Sequence, residues 1–139
     1  NWDLPLHLHE KEVPVLDAAP AMARDWGMPF ENFDGERRFL TPGESIQLGD
    51  DRLTILFLPG HSPGSVGFYC ASQGFLISGD VLFHESIGTS DLPGGDHATL
   101  LRSIREQLLT LPNDTIVYPG HGEPTTIAHE RAHNPFLQR

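Results

Sequence analysis

Apolar and polar positions alternate in short runs over much of this chain, and two stretches break into a helical period. Leu4, Leu6 and Leu8 alternate with Pro5, His7 and His9, which predicts a short strand. Residues 10–26 read as a helix, with Pro14 tolerable near its start and Pro20 expected to kink or end it. Residues 27–43 carry Pro29, Gly35 and Pro42 and read as loop-rich. From Ser45 the pattern turns to strands. Ile46 and Leu48 precede a Gly49-Asp50-Asp51 turn, and an apolar run follows over 53–58. Val66, Phe68 and Cys70 alternate with Gly67, Tyr69 and Ala71. A turn at Ser72-Gln73-Gly74 leads to a run over 75–77, so this pair reads as an antiparallel hairpin. Residues 83–96 have three glycines and a proline without a period, and are assigned as loop. The clearest helix spans 97–109. Asp96 is its candidate N-cap, Leu100, Leu101, Ile104, Leu108 and Leu111 form one face, and Pro112 stops it. A last strand is predicted over 115–118. Strands in a meander with helices between blocks make the class α/β, or α+β by strict sorting.

At 139 residues the chain reads as one domain, residues 1–139. The balance of 9 Lys+Arg against 19 Asp+Glu gives a formal charge of −10. That argues against a nucleic-acid partner, which needs a basic stripe, and the Arg37-Arg38 pair is too small to supply one. No apolar run is long enough for a membrane span, so no membrane partner is expected. Cys70 is the single cysteine and reads as a small buried hydrophobe in a reducing, cytoplasmic setting.

The chemistry lies in a recurrence. Three strand-like runs end in glycine followed at once by a metal-ligand residue: Gly60-His61, Gly79-Asp80 and Gly120-His121. Glycine permits a sharp turn where a strand stops. Two imidazoles and a carboxylate presented together suit a hydrolytic metal site, since zinc and its neighbours bind His nitrogen and Asp oxygen. By contrast, His84, His97, His129 and His133 show no ligand spacing and read as surface or loop residues, although His129 and His133 lie four apart. No phosphate loop, dinucleotide fingerprint or Ser-His-Asp spacing is present.

The stretches Leu58-Pro59-Gly60-His61-Ser62-Pro63-Gly64-Ser65, Ser78-Gly79-Asp80 and Tyr118-Pro119-Gly120-His121-Gly122 resemble the later motifs of metallo-β-lactamase-fold hydrolases. The resemblance is closest to the glyoxalase II-like branch. It extends through Ser86-Ile87-Gly88-Thr89-Ser90-Asp91-Leu92-Pro93-Gly94-Gly95 and His133-Asn134-Pro135-Phe136. It implies an αββα sandwich with two divalent metal ions, zinc, iron or manganese, at one edge. His61 would ligate the first ion, Asp80 would bridge both, and His121 would ligate the second. The implied reaction is hydrolysis of a small-molecule thioester, such as a 2-hydroxyacyl-glutathione, by metal-bound hydroxide.

Several departures accompany the resemblance. The family's H-x-H-x-D-H motif is absent, and Leu6-His7-Leu8-His9-Glu10 lacks its Asp and final His. The chain therefore reads as the C-terminal two-thirds of such an enzyme and, alone, is expected to be inactive and short of apolar cover around Leu56, Leu58 and Val117. Thr89 stands where the closest relatives would carry an arginine. Asp80, where many β-lactamases place a cysteine, argues against that activity. A mononuclear-iron persulfide dioxygenase of the same fold, or a non-catalytic binding module, are the rival readings.

Overall fold

A computed structural model describes residues 3–138. Its elements follow in chain order. Strand β1 (Leu6–Leu8) leads through a 3-10 turn (Glu10–Glu12) into helix α1 (Val13–Asp25). Strands β2 (Arg37–Phe39), β3 (Ser45–Leu48), β4 (Asp51–Phe57), β5 (Val66–Cys70) and β6 (Phe75–Gly79) come next. The short β7 (Leu82–Phe83) and β8 (Ser86–Ile87) precede helix α2 (His97–Ser103), which widens into a π-helical turn over Ile104–Leu108. Strands β9 (Ile116–Pro119) and β10 (Thr125–Thr126) and helix α3 (Ile127–His133) complete the chain.

Six strands form one sheet in the order β10-β9-β6-β5-β4-β3. Strands β3 to β6 are a meander of antiparallel pairs, and β9 joins β6 in parallel after the α2 crossover. This order sets the direction of three strands. Two antiparallel steps make β4 run the same way as β6, and β9 runs with β6. The chain therefore leaves β4, β6 and β9 at the same edge of the sheet.

One face of the sheet carries the core. Leu58, Leu76 and Val117 are buried against Leu100, Ile104 and Leu108 of the α2 segment and Ile127 of α3. The helical period of the 97–109 segment is thus used as predicted. Its end departs from α geometry, with Leu109 N–H donating to the Ile104 carbonyl at 2.9 Å. Leu56, Leu58 and Val117 do not lack cover: Leu58 and Val117 are fully buried and Leu56 packs against this cluster. The open face is the opposite one. Ile77 and Tyr118, paired across β6 and β9, are exposed there, as is Ile116, whereas Leu53, Ile55 and Cys70 are buried.

Further expectations are corrected or refined. Pro20 neither ends nor breaks α1, which runs to Asp25. Proline cannot donate to the Leu16 carbonyl, but the Asn32 side-chain amide does so at 2.8 Å. The 27–43 segment is not all loop, because β2 pairs in parallel with β1, with Arg37 held by Asp17 at 3.1 Å. Likewise the segment beginning at Phe83 opens with the β7–β8 hairpin.

Asp96 caps α2 by accepting from Thr99 N–H at 2.6 Å. Hydrogen bonds from the Thr99 side chain and backbone hold the Asp96 carboxyl below the usual carboxylate range. The folded chain then gives up this proton more readily than the unfolded chain does. The cap contribution is complete above the unfolded Asp value of about 3.9 and fades as pH falls through the lower folded value. Asp96→Asn is therefore expected to flatten the acid limb of a Tm-against-pH curve; an unchanged limb would remove this role.

Glu130 of α3 is fully buried. Its Oε1 accepts from the Thr125 hydroxyl at 2.6 Å, and its Oε2 from Glu85 N–H at 3.0 Å and Asn134 Nδ2 at 2.7 Å. Asn134 Nδ2 also reaches the Ser86 carbonyl at 3.1 Å, so the His133-Asn134 ending is tied to β8. Removing the carboxylate would strand several donors at once. Glu130→Ala is expected to cost about 2–5 kcal/mol in denaturant unfolding.

Candidate metal centre

The three glycine turns meet at the shared edge. His61 follows β4, Asp80 follows β6 and His121 follows β9. The Asp80 carboxylate lies between the two imidazoles. Its Oδ2 is 3.9 Å from His61 Nε2 and its Oδ1 is 3.2 Å from His121 Nδ1. Each oxygen of one carboxylate thus faces its own histidine.

The surroundings orient each group. His61 Nδ1–H donates to the Thr89 carbonyl at 2.7 Å, which leaves the Nε2 lone pair directed towards Asp80. The ring of His121 lies 4.5 Å from that of Phe83. Gly120 N–H donates to the Gly79 carbonyl at 2.9 Å and so joins the Asp80 and His121 turns. A side chain at Gly120 would put its Cβ 2.3 Å from Asp80 Oδ1. Glycine is needed there for space, and not for a left-handed backbone.

The His61 turn is also held from the 3-10 turn that precedes α1. Glu12 Oε2 accepts from the Ser62 hydroxyl at 3.0 Å and from Gly64 N–H at 2.8 Å. Above the turn lies a cleft of about 620 Å³. Its floor includes His61 and Asp80, and its walls include Val15, Ala18 and Met22 of α1 and Leu92 and Pro93. The donors suit the metal the resemblance implies: imidazole nitrogen and carboxylate oxygen are what zinc-like and iron-like ions take. A carboxylate with one oxygen per histidine suits a bridge between two such ions.

His7 and His9 take no part. His7 is exposed in β1. His9 is buried, accepts from Lys11 N–H at 3.1 Å and stacks on Phe57 at 4.5 Å. Two other histidines, read from sequence as surface or loop residues without ligand spacing, meet each other. His84 and His129 lie 3.0 Å apart through their Nε2 atoms, and the ring of His129 is 4.8 Å from that of His133. Their positions, one on a hairpin and one on a helix, leave no local spacing to detect. Glu12 was equally silent, its role depending on a loop 50 residues away.

Residues 1–121 match the metallo-beta-lactamase superfamily. The chain belongs to this superfamily. It is 44% identical to "Probable metallo-hydrolase YqgX" of Bacillus subtilis, over 99% of this chain and 65% of that protein. It is 42% identical to "Hydroxyacylglutathione hydrolase GloC" of Haemophilus influenzae, over 93% of this chain and 61% of that protein. The chain spans less than two thirds of the length of these relatives. Among solved structures, TTHA1623 in a di-iron-bound form superposes with a TM-score of 0.87 at 42% identity, covering 97% of this chain and 66% of that one. BLEG-1 B3 metallo-beta-lactamase gives 0.82 at 44% identity, covering 98% and 66%. These similarities fix the superfamily and the mixed α/β fold, and they include both a hydroxyacylglutathione hydrolase and a β-lactamase. Among the described residues no helix is long and apolar enough to cross a membrane.

Proposed function

We propose that this chain is part of a metal-dependent hydrolase that cleaves small thioesters of the hydroxyacyl-glutathione type. The observation that carries the reading is the Asp80 carboxylate set between His61 and His121 beneath a cleft with apolar walls. The 42% identity to a hydroxyacylglutathione hydrolase supports the substrate class.

In this reading His61, Asp80 and His121 hold two divalent ions together with further ligands from the complete protein. Bound there, the ions would supply Lewis acidity to the substrate carbonyl and acidity to a water molecule. The chain's own residues do the positioning. The Thr89 carbonyl keeps the proton of His61 on Nδ1, so that Nε2 remains a donor of electrons. Glu12 fixes the Ser62–Gly64 turn against the 3-10 turn that precedes α1. Val15, Ala18, Met22 and Leu92 offer an acyl chain or thioether an apolar wall and reduce access of bulk water. A cytoplasmic setting, where glutathione thioesters arise, belongs to the same reading.

The test is turnover of a 2-hydroxyacyl-glutathione by the intact, metal-loaded protein, followed by release of free thiol and by metal content. Thiol release with two ions held at the Asp80 centre is expected. Turnover of a β-lactam or of glutathione persulfide instead, the latter with one iron per chain, would replace the thioesterase reading. Absence of turnover with any of the three would favour a binding module.

A further inference from the structure

We propose that His84, Glu85 and His129 form a second divalent-metal site, of the zinc type, which shares no residue with the Asp80 centre. The three side chains come from two elements. His84 and Glu85 are the two tip residues of the β7–β8 hairpin, between the paired Phe83 and Ser86. His129 projects from the first turn of α3, where its N–H donates to the Thr126 hydroxyl at 3.2 Å.

Their donor atoms converge. His84 Nε2 and His129 Nε2 are 3.0 Å apart. Glu85 Oε1 is 3.0 Å from His129 Nε2 and 3.7 Å from His84 Nε2. Bonds of about 2.0–2.1 Å in a tetrahedral site put ligand atoms about 3.3 Å apart. The three separations bracket that figure, so an ion would need only small shifts of the side chains. Two imidazoles and one carboxylate are a donor set for zinc and its neighbours and not for calcium or magnesium.

Proton positions support the same conclusion. His84 Nδ1 lies 2.7 Å from Glu123 Oε1. A carboxylate only accepts, so Nδ1 carries the hydrogen and Nε2 is the ring atom turned to the cluster. That is the carboxylate–histidine arrangement which orients metal-binding imidazoles. The two facing Nε2 atoms can hold only one proton between them. A metal ion would displace that proton.

Ordinary surface histidines also find carboxylates, so the convergence needs a reason to be built. The hairpin tip supplies one. Glu85 adopts φ +53°, alone among the non-glycine residues described. A two-residue hairpin favours Gly or Asn at such a position, and other residues are strained there. Here Glu85 is held by its N–H on buried Glu130, the neighbour of His129 in sequence. One buried carboxylate thus aligns both ligand-bearing segments. Side-chain exposures of 37% for His84, 51% for Glu85 and 35% for His129 leave an open approach and room for water as a fourth ligand. The net charge of −10 favours cation capture. Once bound, the ion would clamp the hairpin to α3 and, through Glu123, steady the loop that follows His121.

The experiment uses the intact protein, stripped with chelator, in an Asp80→Ala background that weakens the Asp80 centre. Calorimetric titration with Zn²⁺ is compared between this variant and the same variant carrying His84→Ala and His129→Ala. A difference of one zinc equivalent is expected, together with a zinc-dependent rise in Tm present only in the first. Co²⁺ should give the intense visible absorption of a tetrahedral ion in the first and lose it in the second. Glu123→Gln keeps every donor and the fold, and should weaken binding about 10–100-fold. Equal stoichiometry and affinity with and without His84 and His129 would overturn the site. None of these readouts depends on thioester turnover.

Discussion

Asp80→Ala in the intact protein is expected to lower kcat/KM by about 10²–10⁴-fold and metal content with it, while Tm changes little. The size follows from the role. Metal-assisted charge stabilisation is worth several kcal/mol, and each 1.36 kcal/mol is about tenfold in rate. Asp80 is the one group among the three whose two donor atoms reach both neighbours, so its removal affects both positions at once. Its carboxylate is partly exposed and closes no buried network, which is why the fold should survive. Asp80→Asn separates charge from shape: it keeps the size but offers one weak acceptor oxygen, and should lose most of the rate too. Kinetics and metal analysis on the same preparations check this. Near-normal turnover with two ions retained would rule out a bridging role.

The parts legible in the sequence were those written in local patterns. The strand runs of β4, β5 and β6 span five to seven residues, and those of β4 and β6 lead into Gly60 and Gly79, so the turns that carry His61 and Asp80 could be read directly. Helix α2 announces itself by Asp96 and by Leu100, Ile104 and Leu108. What failed depended on partners far along the chain. Pro20 reads as a helix breaker unless one knows that Asn32 satisfies Leu16. Strand β2 contains Arg37-Arg38 in three residues and shows no apolar alternation. Both faces of the sheet are apolar in sequence, so nothing local indicates which side α2 covers. The His84–His129 contact joins a hairpin tip to a helix 45 residues later. A helix period or strand alternation carries no trace of such a meeting.

Gly60→Ala should be among the most damaging of the small substitutions in the described residues. Gly60 adopts φ +134°, a region closed to residues with a Cβ. The position is also filled. A Cβ would stand 2.3 Å from both Cα and N of Leu100, backbone atoms at the heart of α2. Relief by a side-chain rotation is therefore impossible, and the turn or the helix must move. Neither is free. Asp96 N–H donates to the Gly60 carbonyl at 2.8 Å, and the Ser103 hydroxyl donates to the Pro59 carbonyl at 2.7 Å. The same contacts place His61, the next residue. Backbone strain of about 1–3 kcal/mol and overpacking of about 1–3 kcal/mol together give a loss of about 2–6 kcal/mol, against a typical total of about 5–15 kcal/mol. Denaturant unfolding should show that loss, and metal binding at the Asp80 centre should weaken because His61 is displaced. Asp80→Ala and Gly60→Ala then differ in kind: the first removes ligand atoms from an intact frame, the second deforms the frame and leaves every ligand in the sequence. A Gly60→Ala protein with wild-type stability and metal content would show that the β4 turn does not set the position of His61.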